Sequence, residues 1–161
     1  MTSITTRTAP QRIQGFSMIE ILVTVLVLAI GLLGLGGLQL TGLKYNHSAY
    51  LRSQATLLAS DIIDRLRANR DIARAGSYDI SLGTTPASTS CMGTGNNCTP
   101  AAMAAADLSE WKQNLQGLLP AGDGAISRTV AGNEVRFTIT IQWDDSHGEE
   151  SAVQLPVETV L

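Results

Sequence analysis

The sequence predicts an α+β protein with a long N-terminal spine helix. The inner half of that helix is transmembrane, and a small antiparallel sheet packs on the outer half. Three observations predict this. Ile21 to Leu43 carries no charge, a run longer than the ~20 residues a helix needs to cross a bilayer core. Directly behind it, Leu51, Ala55, Leu58, Ile62 and Leu66 recur every three to four residues, with Ala59 and Ile63 beside them, as on one face of a helix. Near the C-terminus, Val135, Phe137, Ile139, Ile141 and Trp143 alternate with Glu134, Arg136, Thr138, Thr140 and Gln142, the period of a half-buried strand.

In chain order, residues 1–15 form a leader containing Arg7 and Arg12 and no acid. By the positive-inside tendency it stays cytoplasmic and the remainder faces outward. Removing it takes two of the 11 basic residues and none of the 14 acidic ones, so the rest is more negative than the whole chain at −3. No basic stripe marks a nucleic-acid footprint. A secretory signal has an apolar core of about 7–15 residues followed by a small-x-small site; the run here is longer and no such site follows it, so the helix stays attached.

Residues 16–43 are the transmembrane half of the spine. Its one charge, Glu20, lies about one turn inside the apolar run. A carboxylate costs on the order of 2.5–3.5 kcal/mol at mid-span and less near an end. Either Glu20 snorkels to the headgroups or takes a proton, or its charge has a partner in an assembly. Gly31, Gly34, Gly36, Gly37 and Gly42 would each weaken a helix in water by about 1 kcal/mol, but lipid enforces the helix. They mark a segment able to bend or pack closely.

Residues 44–75 are the outer, amphipathic half. Opposite the apolar stripe stand Arg52, Asp61, Asp64, Arg65, Arg67 and Arg70, with Asp61 four residues before Arg65 as a modestly favourable exposed pair. No breaker intervenes, so one continuous helix is expected from about Phe16 to about Arg70. A coiled-coil homodimer competes for the stripe, but the repeat is too brief to establish heptads.

Residues 76–161 are the head. After the loop-like SLGTTPASTS come Cys91 and Cys98, the only cysteines, separated by residues rich in Gly and Asn that let the chain turn back. In an outward-facing chain this reads as a disulfide; a metal site would need two further ligands, and none is nearby. Thr99 and Pro100 have the form of an N-cap and first helical position, opening a helix of about Ala101 to Leu118 with Leu108, Trp111, Leu115 and Leu118 on one face. Pro120 and Gly122 end it. Ala125 to Val130 pairs with the alternating strand through the Ala131-Gly132-Asn133 turn. A last strand from about Ser151 to Val160 contains Pro156, which removes a ladder donor and makes this an edge or an interrupted strand.

Catalytic chemistry is sparse. His47 follows the span and His147 lies in an acidic turn. Asp144, Asp145, Ser146 and His147 supply the residue types of a hydrolase triad, but sequence neighbours rarely converge as a triad requires. Asp144, Asp145, Glu149 and Glu150 are oxygen donors without the spacing of an EF-hand. A solvated turn is expected, with no enzyme activity, cofactor or metal.

Gly15-Phe16-Ser17-Met18-Ile19-Glu20, behind a short basic leader and before an apolar helix, resembles the class III signal of type IV pilins and of type II secretion pseudopilins. The resemblance implies a type IV pilin fold, cleavage after Gly15 by a prepilin peptidase and methylation of the new Phe16 amine. It also implies that Glu20 pairs with that amine on a neighbouring subunit. The stretch from Cys98-Thr-Pro-Ala-Ala-Met through Asp107-Leu108-Ser-Glu-Trp111-Lys-Gln-Asn-Leu115 is similar to minor pilins of the PilV type. That implies a structural subunit in pilus assembly or priming and in pilus-dependent motility or adhesion. It would sit once through the inner membrane with its head in the periplasm before entering the pilus at the cell surface. The implied partners are other minor pilins, the major pilin and a tip adhesin, with no nucleic acid. A minor pseudopilin of a type II secretion system is the alternative, and a membrane-tethered periplasmic enzyme a remote one.

Overall fold

A computed structural model describes residues 15–87, 91, 97–146, 148 and 151–161. The leader up to residue 14, and His147, Glu149 and Glu150 of the acidic turn, lie outside the described residues. The chain divides into two units, Met1–Lys44 and Tyr45–Leu161. The architecture is α+β: a long N-terminal apolar helix and a three-stranded antiparallel sheet, as expected.

In the first unit, helix α1 (Met18–Ala68) begins. The Ser17 carbonyl accepts from the amides of Glu20 at 3.0 Å and Ile21 at 3.3 Å, which sets the helix start. The side chains from Met18 to Lys44 are almost all exposed. Thr24 and Thr41 turn their hydroxyls back onto the carbonyls of Glu20 and Gly37, so neither hydroxyl is left unpaired in an apolar surface. This is the helix of the described chain long and apolar enough to cross a membrane.

In the second unit, the expected stripe is the packed face: Leu51, Ala55, Leu58, Ala59, Ile62, Ile63 and Leu66 are all buried. Arg70, expected to lie within the spine, is instead the first residue of a separate short helix, α2 (Arg70–Ala75). Asn69 separates the two at φ −117°, ψ 46°. Its side-chain amide donates to the Pro100 carbonyl at 2.7 Å and the Tyr78 hydroxyl at 3.3 Å, so tertiary partners hold the break that no sequence breaker announces. Gly76 closes α2 at φ 99°, its amide on the Ala73 carbonyl and the next amide, of Ser77, on that of Ile72. A Cβ there would lie 2.4 Å from the Arg128 guanidinium, the far end of a flexible side chain, so it is the left-handed cap that calls for glycine.

Helix α3 (Pro100–Leu118) starts as expected, with the Thr99 hydroxyl accepting from the Ala102 amide at 3.2 Å. Its packed face differs at the end. Leu118 is 50% exposed and Leu119 is buried, because the buried row continues from Trp111 through Leu115 in steps of four. Leu119, in extended conformation at the C-cap, turns back to the core.

The sheet has strands β1 (Asp123–Ala131), β2 (Glu134–Trp143) and β3 (Val153–Val160) in the order β1-β2-β3. Strand β1 starts two residues before the expected Ala125. In it, Gly124 leaves the space that the Trp111 ring fills, since a Cβ would meet that ring at 2.4 Å. The alternation in β2 holds: Val135, Phe137, Ile139, Ile141 and Trp143 face the core. Pro156 lies opposite Thr140 on β3, an edge strand, where a missing donor is tolerated and discourages further pairing. The outer half of α1, helix α3 and the inner sheet face share one core.

Ile62, fully buried at the centre of this core, and Leu57, 64% exposed on the same helix, should behave oppositely. Ile62→Ala is expected to cost the head about 2–5 kcal/mol, and Leu57→Ala within about 0.5 kcal/mol. Urea unfolding of the detergent-solubilised protein, followed by tryptophan fluorescence, measures both.

Candidate functional site

The junction expected to carry processing and assembly lies at the start of α1. Gly15 and Phe16 precede the helix and are exposed, and Glu20 is the third helical residue, also exposed. Free backbone amides at a helix start favour negative charge, so the helix itself gives this carboxylate a favourable setting. These residues form a local site set by sequence order.

In the head, the polar groups converge on Arg65. Its Nε donates to Asp61 at 3.0 Å, and its Nη1 donates to Asp107 at 3.2 Å and Glu110 at 2.7 Å. The expected pair with Asp61 is therefore one arm of a tertiary hub rather than an isolated surface pair. The hydrogen bond to Glu110 is the main reason the guanidinium is held even further up than usual. The same bond holds the Glu110 carboxyl below the usual carboxylate range. Behind the hub, the Tyr78 hydroxyl donates to the other oxygen of buried Asp107 at 2.6 Å. Burial first, and then this bond to a carboxylate, push the Tyr78 hydroxyl well up from its ordinary value.

Two further ties anchor α3. The Trp111 indole donates to the Leu58 carbonyl of α1 at 3.0 Å. Lys112, nearly fully buried, pairs with Asp123 and donates to the Ser81 carbonyl. For Asp123, burial is the largest single influence and acts upward. The bonds from Lys112 and from the Gly83 and Gly124 amides together outweigh it and hold the carboxyl below its ordinary value. Cys91 and Cys98 are bonded, with Cα atoms 5.8 Å apart, and Cys98 leads directly into the cap of α3.

Sequence reasoning missed Tyr78, Asp107, Glu110 and Lys112. Asp107 and Lys112 are charged residues aligned with the buried face of α3, a signal that pairwise spacing within one helix does not read.

Of the acidic turn, Asp144, Asp145 and Ser146 are described. Asp144 accepts from the amide and hydroxyl of Ser146 at 2.9 and 3.0 Å, a local turn. Asp145 accepts from Ser48 of α1, so the turn is pinned to the helix rather than simply solvated. Among the described residues no group of three His, Cys, Asp or Glu side chains is placed to hold a metal ion.

A helix long and apolar enough to cross a membrane, a glycine-phenylalanine junction at its start and an α+β head in the second unit fit a membrane-anchored pilin. Comparison with known families narrows this. Residues 10–36 match the prokaryotic N-terminal methylation motif and residues 37–109 match the family of type IV pilin Tt1218. Together they support a type IV pilin, a structural family, with the processing by prepilin peptidase and assembly with other pilins that the motif implies. No curated protein and no solved structure gives a significant match.

The pKa directions fix the pH response of the head. Glu110 and Asp123 are depressed, so their stabilisation is present above the ordinary carboxylate range and is lost as pH falls through their folded values. Tyr78 is raised, so its contribution is present below the ordinary tyrosine range and is lost as pH rises through its folded value. Glu110→Gln with Asp123→Asn should flatten the acid limb of a plot of urea midpoint against pH, and Tyr78→Phe the alkaline limb. Reduction of the disulfide, or Cys91→Ser, should lower head stability by about 2–3 kcal/mol on the chain-entropy estimate. Non-reducing mass spectrometry of the exported protein should find no free thiol.

Proposed function

We propose that this chain is a minor pilin of the PilV type. It helps assemble or prime a type IV pilus and so serves pilus-dependent motility or adhesion. The observation that carries this reading is the pairing of the Gly15–Glu20 junction with a head whose resemblance stretch, Cys98 to Leu115, is its structural tie. Thr99 caps α3, Asp107 meets Tyr78 and Arg65, and Trp111 meets the Leu58 carbonyl.

On this reading the peptidase cuts after Gly15 and removes residues 1–15, the Phe16 amine is methylated, and residues 16–43 remain as the span. The head from residue 44 onward faces the periplasm. Glu20 then pairs with the methylated amine of Phe16 on an adjacent subunit, in low dielectric where opposite charges attract strongly. Other minor pilins, the major pilin and a tip adhesin are its partners. The role is structural, and no catalytic step is assigned to any side chain. A minor pseudopilin shares the processing signal; recovery of the protein in sheared pili, against loss of exoprotein secretion with twitching intact in a deletion strain, separates the two.

Glu20 generates an asymmetric expectation. Glu20→Ala removes a charge from the start of the apolar helix and takes away nothing that insertion needs, so it should insert at least as well as the parent and still be cut to a chain beginning at Phe16. Gly15→Arg should retain the leader. Without its carboxylate, Glu20→Ala should enter pili much less, since removing one partner of a buried ion pair commonly costs about 3–5 kcal/mol. N-terminal sequencing and the ratio of membrane to sheared-pilus protein give the readout. Normal incorporation of Glu20→Ala would remove the pairing role.

A further inference from the structure

The chain has two phenylalanines, two tryptophans and three tyrosines, and their placement is not scattered. Tyr78, Trp111, Phe137 and Trp143 are buried in the head core. The others flank the apolar run: Phe16, 80% exposed, at one end, and Tyr45 and Tyr50, 73% and 57% exposed, at the other. No aromatic residue lies between Ser17 and Lys44. Rings with an apolar body and a polar tip collect at membrane–water interfaces, where both ends are satisfied.

The head does not cover Tyr45 and Tyr50, since the buried stripe on α1 begins only at Leu51. Lys44 and Arg52, both exposed, stand beside them in sequence. Such side chains lay their stems on apolar surface and extend their charge to phosphates. The patch is also continuous with the span, because Lys44 and Tyr45 directly follow Leu43 within α1.

We infer that Tyr45 and Tyr50, with Lys44 and Arg52, form an interfacial anchor that docks on the phospholipid headgroups at the head-side face of the membrane and sets the depth of the span. The inference goes beyond the filament role and rests on the membrane anchoring alone. Its consequence reaches Glu20. From Glu20 to Lys44 the helix extends about 36 Å, against a hydrocarbon core of about 30 Å and a full bilayer of about 40–45 Å. With Lys44 and Tyr45 held among one layer of headgroups, Glu20 falls at the opposite layer instead of in hydrocarbon. The anchor thus keeps the carboxylate hydrated in the unassembled subunit.

The test uses the full chain in liposomes at a high lipid-to-protein ratio, with a nitroxide on Leu33→Cys, the single free thiol once Cys91 and Cys98 are bonded. Depth is read from collisions with oxygen against those with an aqueous nickel chelate. In a Tyr45→Ala, Tyr50→Ala background the label should shift measurably, by up to about 6 Å, the excess of span over core, and Tyr45→Trp with Tyr50→Trp should restore the original depth. Unchanged depth in the alanine background overturns the anchor. A shift seen only at high protein density assigns the patch to a neighbouring copy and overturns it too. A label that never reports hydrocarbon depth in the parent overturns the membrane anchoring itself along with the proposal, which keeps the two failures apart.

Discussion

In lipid, every backbone amide and carbonyl must find its partner within the chain. A single segment crossing a bilayer therefore has to be helical whatever its residue propensities, and Gly31, Gly34, Gly36, Gly37 and Gly42 sit in α1 without interrupting it. Beyond the apolar run, nothing enforces the helix except packing on one face. The head meets that second requirement. Leu51 to Leu66 present a stripe, and α3 and the inner face of the sheet cover it.

Covering a helix brings polar groups into places where they must be paired. The Trp111 indole takes the Leu58 carbonyl, Asn69 takes the Pro100 carbonyl, and Tyr78 with Arg65 satisfies Asp107. Each of these joins segments distant in sequence, so the polar network specifies how α1, α2 and α3 come together, while the apolar core supplies most of the drive to collapse. The Arg65 hub places one cation among three carboxylates, which ties its full strength to their ionisation.

On the proposed reading, the residues of processing and assembly and the residues that hold the head together belong to different units. Gly15, Phe16 and Glu20 lie at the start of the apolar segment, while the disulfide, the hub and the Lys112–Asp123 pair all lie in the unit from Tyr45 onward. Tyr45 and Tyr50 lie between them, on the stretch of helix that neither the apolar run nor the head core claims.

The sequence by itself determined what depends on period and local order. The apolar length of Ile21–Leu43, the stripe from Leu51, the Thr99-Pro100 start of α3, the strict alternation of β2 and the edge placement of Pro156 follow from backbone geometry repeated along the chain. The N-terminal methylation motif matched over residues 10–36 was legible for the same reason, since its residues are consecutive. Only the tertiary structure decided that α1 stops at Ala68 and that Arg65 gathers Asp107 and Glu110 as well as Asp61. Those outcomes turn on contacts across roughly thirty to forty-five residues of chain. No local period encodes such pairings, because they form only when the core has already brought the segments together.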